Sequence, residues 1–202
     1  MAITVKKPAY KITVGNAYFA DVNPDAAAGA YQYKATEGVE SIKEIGVSLA
    51  KAESTIYASG ITYDITQQKT GESITVDAVQ LPKELIRKYL GEVKPSGDRG
   101  GVSIATTDDK APEFAFGYSV EYSDGNKVFR WYPRCKLIAA DETAATRDES
   151  ASDPSDSYEI MAMPLDELIC AKYDQSQTSG GAVSEEAFFE KVVSKVDTLI
   201  GS

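Results

Sequence analysis

The chain has 202 residues and 43% hydrophobic content, enough for one well-filled core with an elaborated extension. Lys and Arg total 21 against 31 Asp and Glu, and the formal net charge of −10 excludes a surface that grips nucleic acid. A wall of like charge would still let a polyanion slide past. There is no His, and the two cysteines, Cys135 and Cys170, cannot build a zinc site. Both lie in apolar runs and read as buried, inert thiols, with nothing to signal an oxidising compartment.

Met1 to Tyr10 is polar and mixed, with no hydrophobic signal core. No apolar run reaches the length of a membrane span, so a soluble, cytoplasmic protein without membrane contact is expected. Residues 1–9 read as a flexible arm. Tyr10 to Val22 predicts a first strand, because Tyr10, Ile12 and Val14 alternate with Lys11 and Thr13. Asn23, Pro24 and Asp25 turn the chain. Ala26 to Tyr33 reads as a loop that Tyr31 and Tyr33 pin to a neighbour. Val39 to Leu49 alternates imperfectly and predicts one or two strands with a break at Gly46.

Ile61 to Val79 predicts an antiparallel hairpin turned at Lys69, Thr70 and Gly71. Its matching apolar faces are Ile61, Tyr63, Ile65 and Ile74, Val76, Ala78. Pro82 opens a helix whose stripe is Leu85, Ile86, Tyr89 and Leu90, with Gly91 as its cap. Val93 to Gly101 is a loop. Phe114 to Tyr122 alternates as a strand, Ser123 to Asn126 is a hairpin turn, and Lys127 to Ala139 returns. Pro133 marks that return as an edge strand or a bulge.

Ala140 to Pro154 is an acidic loop, spanning residues 140–156 with its flanks, where Asp141, Glu142, Asp148, Glu149 and Asp153 outnumber Arg147. Tyr158 to Ala171 predicts the last strong strand at a sheet edge, bent at Pro164. Residues 174–202 read as a Gly/Ser linker followed by a helix capped by Ser184. Its apolar face (Ala187, Phe188, Val192, Val196, Leu199, Ile200) packs on its own sheet or beside a neighbour. The expected fold is one mainly β domain over 1–202. It is an antiparallel sandwich or barrel with one packed helix and a C-terminal helix.

No phosphate loop or nucleophile motif is present, and the paired carboxylates lack the spacing of a Ca²⁺ loop. The chain does not read as an enzyme, and no cofactor is implied. The 12 tyrosines fill strands or line an interface. Tyr57, Tyr63, Tyr118 and Tyr122 fit either role.

The order of four segments resembles the major tail proteins of long-tailed, non-contractile bacteriophages of Gram-positive hosts. They are Tyr57 to Thr66, Glu72 to Gly91, Glu113 to Leu137 and Ser157 to Lys172, roughly two-thirds of the chain. The most specific is Glu113 to Pro133, where Gly117-Tyr118 is followed by a turn, Lys127 and an aromatic-proline ending. The resemblance implies a β-barrel or sandwich subunit of the phage tail tube type, assembling as stacked hexameric rings around a tape measure protein. Tail terminator and distal tail proteins would be further partners, and DNA would pass through the lumen without sequence-specific binding. The place would be the virion tail, assembled in the host cytoplasm.

On that reading the interface and lumen candidates are Tyr57, Ile61, Tyr63, Ile65, Ile74, Val76, Tyr118, Val120, Tyr122, Asp141, Glu142, Asp148 and Glu149. The lumen-lining strands would be Ile61 to Val79 and Glu113 to Phe129. A long loop at Thr36 to Thr55, the acidic loop Asp141 to Asp156 and the arm Met1 to Tyr10 would reach the next ring. The alternative readings are a head–tail connector or decoration protein, or a β-sandwich module that binds carbohydrate or a host surface.

Overall fold

The computed structural model describes residues 8–23, 31–58, 61–93, 102–142, 155–177 and 182–194. Among these, eight strands form one sheet: β1 (Lys11–Asp21), β2 (Glu37–Val39), β3 (Ile42–Ala58), β4 (Ile61–Ala78), β5 (Phe114–Tyr122), β6 (Lys127–Asp141), β7 (Asp156–Ala162) and β8 (Ala171–Asp174). Helix α1 spans Lys83–Leu90 and helix α2 spans Glu185–Phe189. The order across the sheet is β2-β1-β5-β6-β7-β4-β3, with β8 paired to the first half of β6. Every pairing is antiparallel.

The sheet rolls around a core drawn from both of its ends. Ala17 and Phe19 of β1 share one apolar cluster with Ile74 and Val76 of β4, Phe116 and Tyr118 of β5, and Ile160 of β7. β1 and β3 approach without forming a ladder, so the barrel is not closed. The mainly β expectation is met, with this rolled, open sheet as its form.

Helix α1 plugs the roll at one end. Pro82 sits at its N-cap, and Gly91 takes the left-handed conformation at φ 83° that ends the helix. Leu85 and Tyr89 are its buried stripe. The Tyr89 ring stacks on Phe114 at 4.0 Å, and its hydroxyl donates to Asp21 Oδ1 at 3.0 Å. Lys88 pairs with the same carboxylate.

A second cluster lies on the outside of β1, β5, β6 and β8, where Phe188 and Phe189 of α2 cover Ala115, Phe129 and Trp131. Ser184 caps α2 by accepting the Ala187 N–H at 3.2 Å. Glu185 then accepts from Tyr18 OH (2.9 Å), Ser119 Oγ (2.8 Å) and Lys127 Nζ (2.7 Å), which ties the helix to the sheet. Burial works against the Glu185 charge, but these bonds and the Lys127 charge outweigh it and lower the pKa. β5 is thus buried on both faces: Phe114, Phe116, Tyr118 and Val120 inward, Ala115 and Ser119 under α2.

Several expectations need correction. The chain does not break at Gly46, where an added Cβ would meet only ordinary contacts. β3 runs through it, and the break lies at Ser41, which has φ 94°. The predicted turn at Lys69 to Gly71 is a β-bulge inside one strand, with Thr70 left unpaired between Lys69 and Gly71. Gly71 is needed there because a Cβ would lie 2.5 Å from the Ala162 carbonyl oxygen. β3 and β4 are the two strands of the hairpin, and their connection, residues 59–60, lies outside the described residues. Pro133 stands at a register shift against β5, so the bulge reading holds, but β6 is an interior strand.

The strand predicted over Tyr158 to Ala171 is two strands, and β7 is interior between β6 and β4. The chain leaves the sheet at Met163 and bends through Leu165 to Leu168, with Asp166 at φ 52°. The final helix stops at Phe189, and the predicted positions Val196, Leu199 and Ile200 lie outside the described residues. Thr36 to Thr55 is not a loop, because β2 and most of β3 occupy it. Tyr31 and Tyr33 do pin their segment: Tyr31 OH donates to Glu113 Oε2 at 2.7 Å and Tyr33 OH to the Pro133 carbonyl at 2.8 Å.

Gly117 shows how tightly α2 is seated. A Cβ there would lie 2.7 Å from the Phe189 ring and 2.8 Å from Trp131. Gly117→Ala is therefore expected to lower stability by about 1–3 kcal/mol through overpacking. Urea denaturation followed by Trp131 fluorescence measures it, and an unchanged midpoint would contradict this packing.

Candidate assembly interface

The feature that stands apart from the core is the far half of the β3–β4 hairpin. β3 pairs with β4 along its whole length, from Ile42↔Ala78 to Ala58↔Ile61. β4 has a second partner, β7, only from Glu72 to Ala78. Beyond Ala50 and Gly71 the hairpin therefore leaves the body as a two-stranded arm. At about 3.3 Å per residue it projects roughly 25–30 Å. Its outer borders, β3 on one side and Ile61–Gly71 of β4 on the other, have no ladder partner among the described residues.

Local sequence explains the arm. Thr55-Ile56-Tyr57 and Ile61-Thr62-Tyr63-Asp64-Ile65-Thr66 are rich in β-branched and aromatic residues, which favour extended chain. Five large apolar side chains crowd its tip in the open: Ile56, Tyr57 (70% exposed), Ile61, Tyr63 (75% exposed) and Ile65. A lone two-stranded ribbon is marginal in water, and unpaired edges invite pairing with another chain.

The register also fixes what each face carries. The Thr70 bulge shifts the alternation, so Ile65, Gln67 and Lys69 share a side with Ile74 and Val76. The opposite side of β3, β4 and β7 faces away from the core. Along β3 it presents Glu44, Gly46, Ser48, Ala50, Ala52, Ser54 and Ile56. On β4 it presents Asp64, Thr66, Gln68, Ser73, Thr75 and Asp77, and on β7 Ser157, Glu159 and Met161. No Lys or Arg stands on this face in these stretches. Its charges are four carboxylates, and most other positions are small and neutral. Ser73 Oγ donates to Glu159 Oε1 at 3.2 Å across it.

A polar cluster anchors the base of the arm. Glu72 is buried, pairs with Lys69, and accepts from Tyr132 OH at 2.7 Å. Burial alone would raise the Glu72 pKa, but the bonds from Lys69 and Tyr132 and the Lys69 charge outweigh it and lower it. Burial pushes the Tyr132 hydroxyl far up, so it stays a donor. Beside it, Arg130 lies over the Tyr118 ring, 5.7 Å from its centroid.

The structure sorts the sequence candidates. Tyr57, Ile61, Tyr63 and Ile65 are gathered on the arm. Ile74, Val76, Tyr118 and Val120 are core residues, so they are not available to a surface of the folded subunit, and Tyr122 is half-buried beside them. β5, buried on both faces, presents no lining strand. Asp141 and Glu142 are exposed at the end of β6, across a groove from Lys83 and Arg87 of α1. Asp148 and Glu149 lie outside the described residues. The cation-free face and the Glu72 anchor were not anticipated. The alternation Gly46-x-Ser48-x-Ala50-x-Ala52-x-Ser54 was the available signal for the first.

Among the described residues, no group of three or more His, Cys, Asp or Glu is placed to hold a metal ion. Cys135 and Cys170 are free thiols, and burial raises the pKa of both. No described helix is long and apolar enough to cross a membrane.

No family model matches this chain, and no curated protein does. Solved structures similar to this chain at low identity include the following two. The tube-terminating cap of the anti-feeding prophage is 11% identical with a TM-score of 0.43, over 86% of this chain and 95% of that one. Hcp1 from Flavobacterium johnsoniae is 11% identical with a TM-score of 0.37, over 79% of this chain and 98% of that one. Neither is close enough to carry a property over to this chain.

Glu72 gives the arm base a pH dependence. Its pKa is lowered in the folded protein, so its contribution is present above the ordinary carboxylate value and is lost as pH falls through the folded value. Glu72→Gln is expected to cost about 1–3 kcal/mol at neutral pH. The gap to the parent should close below about pH 4. Urea midpoints across this range decide it, and a gap independent of pH would contradict the assignment.

Proposed function

We infer that this protein is the repeating subunit of a tube, built by pairing the arms of successive copies. The observation that carries this reading is a long hairpin whose two outer edges find no ladder partner among the described residues. One border of the arm belongs to β3 and the other to β4, which run in opposite directions. Placing β3 of one copy beside β4 of the next, by rotation about an axis along the arms, keeps every pair antiparallel. Such a contact is heterologous, and it closes into a ring when the rotation closes. Each backbone N–H and C=O on the two borders then finds a partner.

The same arrangement turns one face of the arms toward the axis. The cation-free face of β3, β4 and β7 suits that position. Four carboxylates per chain repel a phosphate backbone, and no ammonium or guanidinium is there to hold it. A DNA duplex would meet a smooth, weakly repelling wall and pass without sequence-specific contact.

Together with the resemblance of the four sequence segments, this supports the tail tube of a long-tailed, non-contractile phage of a Gram-positive host. On that reading hexameric rings stack around a tape measure protein, with terminator and distal tail proteins at the ends. The subunit is a virion tail component put together in the host cytoplasm, and it catalyses nothing.

The test is to shorten the arm. Replacing residues 52–68 by a two-residue turn removes only residues outside the core clusters. The shortened protein is expected to keep its thermal midpoint within a few degrees and to sediment as a monomer at concentrations where the intact chain forms rings or tubes. Tubes built by the shortened protein would overturn the reading.

A further inference from the structure

Two strands of the roll come close without pairing. β2 and β3 are separated only by Glu40 and Ser41, and β2 pairs with β1 from Ala17↔Val39 to Phe19↔Glu37. Carried straight through those two residues, β2 and β3 would be one strand along β1, with Val14 opposite Ile42 and Ile12 opposite Glu44. Ser41 prevents this. Its φ of 94° is one of two positive values among the described non-glycine residues, a conformation that strains a residue with a Cβ. Its carbonyl accepts from the Val79 N–H at 3.0 Å and its hydroxyl donates to the Gln80 carbonyl at 2.9 Å, so the kink is held at the exit of β4.

Past the kink, a groove of about 500 Å³ lies between the base of β3 and the N-terminal half of β1. Ile12, Val14, Ile45 and Val47 line it, together with Tyr118 and Val120 of the core. Ile12 is 59% exposed and Val47 37%, so apolar surface stays in water beside the core. Among the described residues, neither strand has a ladder partner on this side. Spacing decides what can fill the groove. Cα atoms of β1 and β3 come within 8 Å of each other. Ladder partners stand about 4.5–5.5 Å apart, and a strand inserted between them would need roughly 9.5 Å. No further strand fits, and a shift of about 3 Å joins the two that are there.

We propose that this seam is a zipper that closes on assembly: Ser41 leaves positive φ, β1 and the base of β3 form a ladder, and the open roll becomes a barrel. The proposal rests on the tube reading and names a control on it. β3 belongs to both features, its base to the seam and its far half to the arm. A neighbour's strand along the far half and a ladder along the base order the same 17-residue strand, so each lowers the cost of the other. The lengths also agree. With the seam closed as far as Val47, β3 keeps an open border from Ser48 to Ala58, as long as the open border of β4 from Ile61 to Gly71. Strain at Ser41 favours the zipped form, and its bonds to Val79 and Gln80 favour the open one.

Hydrogen exchange by mass spectrometry compares the full-length chain when dilute and when assembled. Peptides over residues 11–16 and 42–47 are expected to slow at least about tenfold on assembly, together with arm peptides over 49–58 and 61–71. Two substitutions at the hinge should act in opposite directions. Ser41→Gly accepts the kink without strain and is expected to raise the concentration at which rings form about fivefold. Ser41→Val disfavours the kink and should lower it by a similar factor. Both lose the hydroxyl, so the lost bond to Gln80 cancels between them. An Ile12→Cys, Glu44→Cys chain in a Cys170→Ser background sets the thiols at the spacing of a ladder pair when the seam is shut. Its oxidised form is expected to assemble at about one-tenth the concentration of its reduced form.

Slowed exchange in the arm with no change at the seam overturns the zipper and leaves the tube reading in place. No change in either overturns the tube reading, and the zipper with it. Seam peptides already as slow in the dilute chain as in the assembled one show a seam closed beforehand, which also overturns the zipper. Equal assembly by the oxidised and reduced forms does the same, and it compares one folded chain with itself.

Discussion

Backbone hydrogen bonding constrains this molecule more than any side-chain chemistry. A strand satisfies its N–H and C=O groups on two sides, and among the described residues β3 has a partner on one side only. In most soluble proteins such an edge is short, charged, twisted away or covered. Here it runs 17 residues, and over its far half the partner strand is exposed on its other border too. Among the described residues, no other strand pairs with that half. On the proposed reading, the partner that completes these edges is a second copy, whose β3 and β4 borders run in complementary directions.

The rest of the fold makes this possible by being conservative. α1 plugs one end of the roll with Leu85 and Tyr89, and α2 seals the outer face of β5 and β6 with Phe188 and Phe189. Each buried aromatic contributes on the order of 1.5–3 kcal/mol by leaving water. Folding is therefore secured by residues that take no part in the arm. At the junction, Glu72 links the two halves: it is buried in the body, bonded to Tyr132 of β6, and paired with Lys69 on the arm side of the bulge. That carboxylate ties the root from which the hairpin leaves to the body.

Much of the fold was legible in the sequence because its signals are local. Phe114 to Tyr122 alternates cleanly, Ser123 to Asn126 is a turn with Gly125 at φ 79°, and Pro82 and Gly91 bracket α1 as helix-end chemistry dictates. The misreadings occurred where a local signal has two physical causes. Gly71 looked like a turn, yet it is a glycine because the Ala162 carbonyl leaves no room for a Cβ. Pro133 pointed to an edge or a bulge, and it is the bulge that lets an interior strand hold it. Alternating residues such as Ile74 and Tyr118 mark a buried face, and alternation alone does not tell a core face from an interface face. The smooth, cation-free side of β3, β4 and β7 emerges only once the register places three strands side by side.

The central claim is that the free arm edges are completed by copies of the same chain. Electron microscopy of the concentrated, purified protein, with symmetry counted in end-on views, tests it most directly. The account predicts closed rings, six-fold on the tail tube reading, that stack into hollow tubes with the arms toward the axis. Solitary particles at millimolar concentration, with the arm folded back onto its own body, would contradict it.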